Sequence, residues 1–257
     1  LTYAPVVKWY SIRMMLALAL VNNWHTQQID YVLAYPQAPI EREIYMKIPR
    51  GMEIGDKDKN DFVLKLHRNI YGQKQAGRVW YQYLSKKLVE EVGFTKSEVD
   101  ECVFTKGEVM YILYTDDSII AAPKKSQVEE VMRDIEAAGL KITREGNVQD
   151  FLGINIEKKG KNKIKMSQPN LTRQILKALR LDEESKGKNI PAASSKVLQR
   201  HPGSEDFDGS FKYRSVIGQL NYLEKGTRMD IAYQAHQCAR YTEDPKVEHG
   251  KAVKWLG

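Results

Sequence analysis

The feature that constrains the fold most is an acidic pair between two apolar runs. Residues 109–114 (Val-Met-Tyr-Ile-Leu-Tyr) and 118–122 (Ser-Ile-Ile-Ala-Ala) have the composition of β-strands, and only Thr115, Asp116 and Asp117 separate them. This spacing predicts a hairpin with both carboxylates at its turn. Crowded carboxylates favour a cation, and Mg²⁺ binds oxygen ligands, commonly one or two carboxylates plus substrate phosphates. The alternative is an ordinary surface turn, since Asp is a common turn residue.

A third carboxylate favours the metal interpretation. Asp30 lies near the end of a strand-like run at 24–31. If Asp30 and Asp116 lie on neighbouring strands, they could hold two divalent ions ~4 Å apart, the spacing of the two-metal clamp in phosphoryl transfer. The sequence therefore predicts a catalytic metal site formed by Asp30, Asp116 and Asp117.

The positive charge of the chain is concentrated in one region. The net charge is +7, and residues 141–200 hold 14 Lys and Arg against 6 Asp and Glu. This excess favours a polyanion such as nucleic acid, with a solvated lysine-rich edge as the alternative. The longest apolar run, 14–21, is much shorter than the ~20 residues that span a bilayer, so no membrane segment is expected.

The apolar pattern predicts an α+β fold, with helices laid on one face of a mostly antiparallel sheet and the acids at its open face. The expected helices are 9–23, 76–92, 125–138, 169–179, 211–224 and 229–241, and 182–210 reads as a linker or long loop. The expected strands are 24–31, 43–48, 62–66, 102–105, 109–114, 118–122, 140–143 and 150–157.

Several motifs resemble those of the reverse transcriptase of Copia-type (Pseudoviridae-like) long-terminal-repeat retrotransposons, and they occur in the family's order. The motifs are Tyr3-Ala4-Pro5-Val6-Val7-Lys8-Trp9, Glu43-Ile44-Tyr45-Met46, Tyr71-Gly72-Gln73-Lys74-Gln75-Ala76 with Trp80-Tyr81, Tyr114-Thr115-Asp116-Asp117, Phe151-Leu152-Gly153, Gly218-Gln219-Leu220-Asn221-Tyr222-Leu223 and Asp230-Ile231-Ala232-Tyr233. The resemblance implies an RNA-directed DNA polymerase with a palm, a basic thumb and connection helices.

The resemblance also implies roles for individual residues. Asp30 and Asp116 would bind two Mg²⁺ ions, with Mn²⁺ as an alternative, and Asp117 would mainly support the turn. Tyr35 matches the position whose ring excludes ribonucleotides, although a structural tyrosine is the rival interpretation. Tyr31 would offer its backbone carbonyl to the nucleotide.

Further nucleotide and primer contacts follow from the same resemblance. Gln75 and, more weakly, Arg78 would lie against the incoming nucleotide and template. Phe151, Leu152 and Gly153 would grip the primer, against the alternative that Phe151 and Leu152 simply pack in a strand. The nucleic-acid-binding lysines would be Lys158, Lys159, Lys161, Lys163 and Lys165.

The resemblance divides the chain into partial fingers and palm (1–140), primer grip and thumb (141–185), and a linker with a connection segment (186–257). Because the chain starts at Leu1 without a start methionine, we expect it to be part of a longer protein. The resemblance implies that this is a Gag-Pol-like polyprotein with integrase and ribonuclease H. Its expected partners are an RNA or DNA template-primer and deoxynucleoside triphosphates (dNTPs). The expected location is the cytoplasm, within virus-like particles, and afterwards the nucleus.

Two other functions remain open at this point. A decayed or repurposed element copy would bind nucleic acid through its basic region without polymerising. A packing or particle-assembly module cut from a polyprotein would show neither nucleotide incorporation nor salt-dependent binding.

The chain departs from the family pattern at positions near these motifs. The family usually has a small aliphatic residue where Thr115 stands and Pro where Gly77 stands.

Overall fold

Two units make up the chain in the computed structural model, Leu1–Val148 and Gln149–Gly257. The structure describes residues 2–55, 58–160, 163–182, 185–192 and 197–257. No helix in these ranges is both long and apolar enough to span a bilayer.

The first unit alternates helices with short strands. Its strands are β1 (His25–Tyr31), β2 (Tyr45–Lys47), β3 (Val63–Lys65), β4 (Thr95–Lys96), β5 (Val103–Lys106), β6 (Val109–Tyr114), β7 (Asp117–Ala122) and β8 (Ile142–Gly146). Its α-helices are α1 (Trp9–Val21), α2 (Ala34–Gln37), α3 (Ala76–Glu90) and α4 (Lys125–Ala137). A short 3₁₀ helix, Lys59–Asp61, precedes β3.

Six of these strands form one sheet in the order β4-β5-β6-β7-β1-β8, and every neighbouring pair is antiparallel. Strands β2 and β3 pair separately. The mixed α+β class with antiparallel sheets, predicted from the sequence, is confirmed.

Strand β7 lies inside the sheet and is buried along most of its length. Every residue from Ser118 to Ala122 is buried, and successive strand side chains point to opposite faces. Both faces of β7 are therefore covered, with α1 and α4 among the helices in contact with it. This differs from the expected open face, since only Asp117, at the end of β7, is partly exposed.

Helix α3 forms because its apolar side chains recur at helical spacing. Trp80, Leu84 and Leu88, four residues apart, are all buried. The helix ends at Glu90, and Gly93 follows with a φ of +85°. Glycine takes this left-handed conformation without a steric penalty, and it commonly follows a helix end. The helix predicted at 76–92 is confirmed, and it ends two residues earlier than expected.

The second unit combines a small sheet with four helices. Its strands are β9 (Asp150–Phe151), β10 (Ile154–Lys158) and β11 (Ile164–Ser167), in the order β11-β10-β9. Its α-helices are α5 (Pro169–Leu179), α6 (Tyr213–Gly226), α7 (Ala232–Ala239) and α8 (Val247–Leu256), with a 3₁₀ helix at Met229–Ile231. The helices enclose a core that includes Leu179, Val216, Leu220, Ala235 and Val253.

The sequence predicted most elements to within a few residues. The predicted strand at 150–157 was partly wrong, because a turn at 152–153 divides it into β9 and β10. Helices α2 and α8 and strands β4 and β11 were not predicted. The described part of 182–210 contains no helix or strand, as expected for a loop.

Candidate active site

Backbone pairing gathers the three predicted acids at one end of the main sheet. Asp30 on β1 lies directly opposite Asp117 on β7. The backbone N–H of Tyr31 donates to the carbonyl oxygen of Asp116 at 2.9 Å. Residues opposite each other in an antiparallel pair point to the same face. The side chains of Asp30 and Asp117 therefore share a face, with Asp116 in the adjoining turn.

The turn that carries Asp116 has only two residues. Tyr114 pairs with Asp117, which leaves Thr115 and Asp116 as the loop. Thr115 has a φ of +56°, and glycine is the usual residue at a positive-φ first position of a two-residue hairpin loop. A non-glycine residue held in a sparsely populated conformation stores about 1–3 kcal/mol and persists only where its surroundings fix it.

The acids repel one another electrostatically. Burial raises the pKa of Asp117 to about 6, with further contributions from Asp116, Asp30 and Glu145. Burial, Asp116 and Glu145 likewise raise the pKa of Asp30 above its ordinary range. Among the described residues, no Lys, Arg or His forms a salt bridge with any of the three acids. The cluster thus carries negative charge that protein cations do not neutralise.

Glu145 is a fourth acid that the sequence analysis missed. It lies on β8, next to a bulge in the pairing with β1, and accepts a hydrogen bond from Nε2 of Gln28 at 2.6 Å. The predicted strand ended at residue 143, so Glu145 fell outside it. A strand continued to Gly146 would have brought this carboxylate to the edge of the same site.

The donor set fits a divalent cation in its chemistry. Carboxylate oxygens are the ligands that Mg²⁺ prefers, and a typical Mg²⁺ site uses only one or two of them and completes its shell with water and phosphate oxygens. In the described part of the chain, no three acidic, His or Cys side chains converge closely enough to hold an ion by themselves. The residues therefore suit an ion that substrate phosphates help to bind.

Two tyrosine rings lie beside the acids. Tyr35 on α2 packs against Tyr71 with ring centroids 4.5 Å apart. Burial raises the pKa of both hydroxyls, and the negative charge of Asp116 adds to both shifts. A Cβ built on Gly77 would lie 3.7 Å from the Tyr35 hydroxyl, so this ring also reaches the first turn of α3.

The other predicted nucleotide contacts have different surroundings. Tyr31 is buried and bonds through its hydroxyl to Tyr111 at 2.7 Å, so its side chain is not available to a ligand. Gln75 precedes α3, and its buried Nε2 has no hydrogen-bond partner among the residues that the structure describes. Arg78 donates to Glu41 at 3.2 and 2.5 Å and to Gln82 at 2.8 Å.

In the second unit, the predicted primer grip forms a tight hairpin turn. Phe151 pairs with Ile154, which leaves Leu152 and Gly153 as the loop, with φ values of +53° and +68°. Phe151 is buried, as the packing interpretation expects. The Tyr222 hydroxyl donates to the Leu152 carbonyl oxygen at 2.7 Å. The turn, rather than the Phe151 ring, is the accessible part of this motif.

The predicted lysines lie on and around the β10–β11 hairpin, although not on a single face. Lys165 lies opposite Glu157, and Lys159 forms a 2.6 Å salt bridge with the same carboxylate. Lys158, one residue from Glu157 along β10, points to the other face. Lys163 is exposed just before β11, and Lys161 lies outside the described residues.

Comparisons with known proteins give matches over most of the chain. A family model for reverse transcriptase (RNA-dependent DNA polymerase) matches residues 1–194. The chain is 30% identical to the retrovirus-related Pol polyprotein from transposon TNT 1-94 of Nicotiana tabacum, covering 99% of this chain and 20% of that protein.

Two further relatives come from other organisms. The Pol polyprotein from transposon RE2 of Arabidopsis thaliana is 31% identical, over 98% of this chain and 17% of that protein. The transposon Ty1-BL Gag-Pol polyprotein of Saccharomyces cerevisiae is 25% identical, over 91% of this chain and 14% of its own length. The chain thus spans a fifth or less of these relatives. No solved structure gives a significant match.

The raised pKa of Asp117 predicts a pH-dependent stability. Because its folded-state pKa of about 6 exceeds the ordinary 3.8, the folded protein binds more protons between these values, and stability falls as pH rises through this window. We expect Asp117→Asn to remove this dependence. At pH 7 it should raise the free energy of unfolding by about 1 kcal/mol, once solvent screening of a partly exposed group is allowed for.

Urea unfolding at pH 4 and pH 7 measures this difference. Asp61→Asn, which changes an exposed carboxylate outside the cluster, is the matched control. If the cluster takes up a cation, added Mg²⁺ should stabilise the wild-type protein at pH 7 more than Asp117→Asn. Identical pH dependence in the wild type and Asp117→Asn would contradict the proposed repulsion.

Proposed function

The chain belongs to the reverse transcriptase (RNA-dependent DNA polymerase) family, within the Pol polyproteins of Copia-type retrotransposons, and from this membership we propose that its first unit performs RNA-directed DNA synthesis. The observation that carries the proposal is the set of three uncompensated carboxylates at one end of the antiparallel sheet. Such a set suits two-metal nucleotidyl transfer from a dNTP to a primer 3′-hydroxyl.

The acids have separable roles in this proposal. Asp30 and Asp116 hold two Mg²⁺ ions together with the triphosphate, and Mn²⁺ can substitute because it also takes oxygen ligands. When bound, the ions activate the primer hydroxyl and neutralise the charge of the leaving pyrophosphate. Asp117, opposite Asp30, supports the turn and adds negative charge, and Glu145 adds to that charge from β8.

The tyrosine pair selects the sugar in the proposed site. Tyr35 and Tyr71 form a wall beside Asp116, and a rigid ring there excludes a ribose 2′-hydroxyl by steric overlap. Gln75 lies at the start of α3 and is assigned to the nucleotide and template side of the site. Arg78 acts less directly, because Glu41 already binds its guanidinium.

The finer division into subdomains is part of the proposal. We assign 1–140 to the partial fingers and palm, 141–185 to the primer grip and thumb, and 186–257 to a linker and connection segment. The turn at Leu152 and Gly153 would contact the primer through its backbone. The exposed lysines of the β10–β11 hairpin would contact phosphates of the template-primer.

The remaining partners are proposed from the relatives. Their names describe Pol and Gag-Pol polyproteins, so we propose that this chain works within a longer polyprotein that also supplies ribonuclease H and integrase. We propose cytoplasmic virus-like particles as its place of action.

Replacing a proposed metal ligand should lower nucleotide incorporation without a comparable loss of affinity for template-primer. In the complete polymerase that contains this chain, we expect Asp116→Asn to lower nucleotide incorporation by about a hundredfold or more, as for loss of a main electrostatic stabiliser. Affinity for template-primer should stay within about threefold, because the change removes charge but little shape.

Primer extension with Mg²⁺ and filter binding measure the two quantities, with Asp61→Asn as the control. Near-full incorporation by Asp116→Asn would exclude Asp116 as a ligand. A wild-type protein that binds template-primer without extending it would instead identify a decayed copy.

The tyrosine wall predicts a change in sugar selection. Tyr35→Val removes the ring beside Asp116, so ribonucleotide incorporation should rise by about tenfold or more relative to deoxynucleotide incorporation. Single-nucleotide extension with each substrate gives the ratio. Tyr45→Val, at an exposed tyrosine on β2, should leave the ratio unchanged. The same ratio in Tyr35→Val and wild type would return Tyr35 to a purely structural role.

The β10–β11 hairpin predicts salt-dependent binding. The double variant Lys163→Gln, Lys165→Gln should reduce the slope of log affinity against log salt by about 0.7–0.9 for each lysine that binds a phosphate in the wild type. Glu157→Gln should act in the opposite direction and tighten binding at low salt, because it removes the carboxylate that lies opposite Lys165 and pairs with Lys159. Fluorescence anisotropy over salt concentrations of about 50 to 200 mM measures both. Slopes equal to wild type in both variants would exclude this hairpin from the interface.

A further inference from the structure

Both carbonyl groups of the acidic turn accept hydrogen bonds from outside the hairpin. The indole Nε1–H of Trp80 on α3 donates to the carbonyl oxygen of Thr115 at 2.6 Å. The backbone N–H of Tyr31 on β1 donates to that of Asp116 at 2.9 Å. One bond therefore comes from a helix and the other from a neighbouring strand, and together they fix both residues of the turn.

Trp80 is itself held in a single position. Its side chain is buried, and its ring meets the ring of Tyr31 edge-on, with centroids 5.2 Å apart. A ring packed on several sides keeps few rotamers. The indole N–H is therefore aimed at the turn before any substrate arrives.

Buried hydroxyl groups connect the ends of β1 and β7 that carry the acids. The Tyr31 hydroxyl lies 2.7 Å from the Tyr111 hydroxyl, which lies 2.7 Å from Oγ of Ser118. Tyr31 follows Asp30 along β1, and Ser118 follows Asp117 along β7. This buried chain of hydroxyls links β1, β6 and β7 directly below the acids.

A buried tryptophan usually finds a partner for its N–H, so the bond alone is not evidence of a role. The partner is what matters here. The bond ends on Thr115, the residue before Asp116. Thr115 is β-branched and has a φ of +56°, so its backbone is strained. A strained turn persists only where external contacts hold it. Phenylalanine would retain much of the ring packing and lack the donor.

We propose that Trp80 is a positioning residue, whose indole N–H holds the strained Thr115 turn and thereby aims the Asp116 carboxylate at the metal site. The catalytic part of this inference rests on the proposed function. The mechanical part, that Trp80 fixes the turn, is independent of any activity.

Hydrogen exchange tests the mechanical part on the chain itself. In Trp80→Phe, we expect amide exchange in a peptide covering 109–122 to accelerate by about tenfold, the effect of losing one hydrogen bond. Trp255→Phe is the matched control, because it removes a similar indole bond, to Ile190 at 3.1 Å, in the other unit. Exchange in 109–122 that is the same in both variants would overturn the inference, whatever the polymerase activity.

A second variant distinguishes strain from packing. Glycine adopts a positive φ without a steric penalty, so in a Thr115→Gly background the turn should depend less on Trp80. The acceleration caused by Trp80→Phe should then shrink, whereas equal acceleration in both backgrounds would indicate packing alone and overturn the proposal.

One measurement needs no variant. The indole N–H of Trp80 in the wild-type chain should exchange much more slowly than that of Trp255, as followed by NMR. Equal exchange would contradict the bond, even if Trp80→Phe failed to fold.

Kinetics test the catalytic part in the complete polymerase. Trp80→Phe should lower kcat by about tenfold and leave the KM for dNTP within about twofold. A displaced Asp116 carboxylate would reduce stabilisation of the transition state more than it would reduce dNTP binding. Trp255→Phe should retain wild-type kcat. Altered exchange together with an unchanged kcat would overturn the catalytic role. A failure of the proposed function would be recognised separately, by absent incorporation in the wild type.

Discussion

Repulsion among carboxylates is the constraint on which this structure depends. Asp30, Asp116 and Asp117 lie at one strand end, and none of them has a salt bridge to a cation of the described residues; burial and mutual charge raise the pKa of two of them. The chain can hold them together only because the rest of the sheet resists their separation. Strand β7, buried on both faces beyond Asp117, supplies that resistance. The buried part of β7 therefore holds in place the strand end at which the three acids repel one another.

Different elements supply the groups that surround the acids. Strand β1 supplies one acid and bonds the turn through its backbone, whereas α3 reaches the turn with a side chain. The Tyr35 and Tyr71 rings approach from α2 and from the loop before α3. Helices and strands are more rigid than loops, so the groups that hold the turn of Asp116, the Tyr31 backbone and the Trp80 side chain, lie on regular elements. The tyrosines and Gln75, which the proposal assigns to the nucleotide, sit on a short helix and on loops.

Much of this arrangement was readable from the sequence, for specific reasons. A spacing of three residues between two apolar strands left room for only one turn, and pairing of β1 with β7 then brought Asp30 to it. Glu145 was missed because a bulge extends β8 beyond its apolar residues. The bond from Trp80 to Thr115 was missed because it joins residues 35 apart, and helical spacing shows that Trp80 is buried without showing where its N–H points. The turn at Leu152 and Gly153 was missed within the strand predicted at 150–157, since Leu152 gives no sign of a positive φ.

The hydrogen bonds to the acidic turn have an evolutionary consequence. They use the carbonyl oxygens of Thr115 and Asp116, which every amino acid possesses, and make no use of the Thr115 side chain. The side chain at position 115 can therefore change between related sequences without loss of either bond, within the limit that the positive φ sets on the residue type. Such a change alters the surface next to Asp116 and leaves the anchoring of the turn in place.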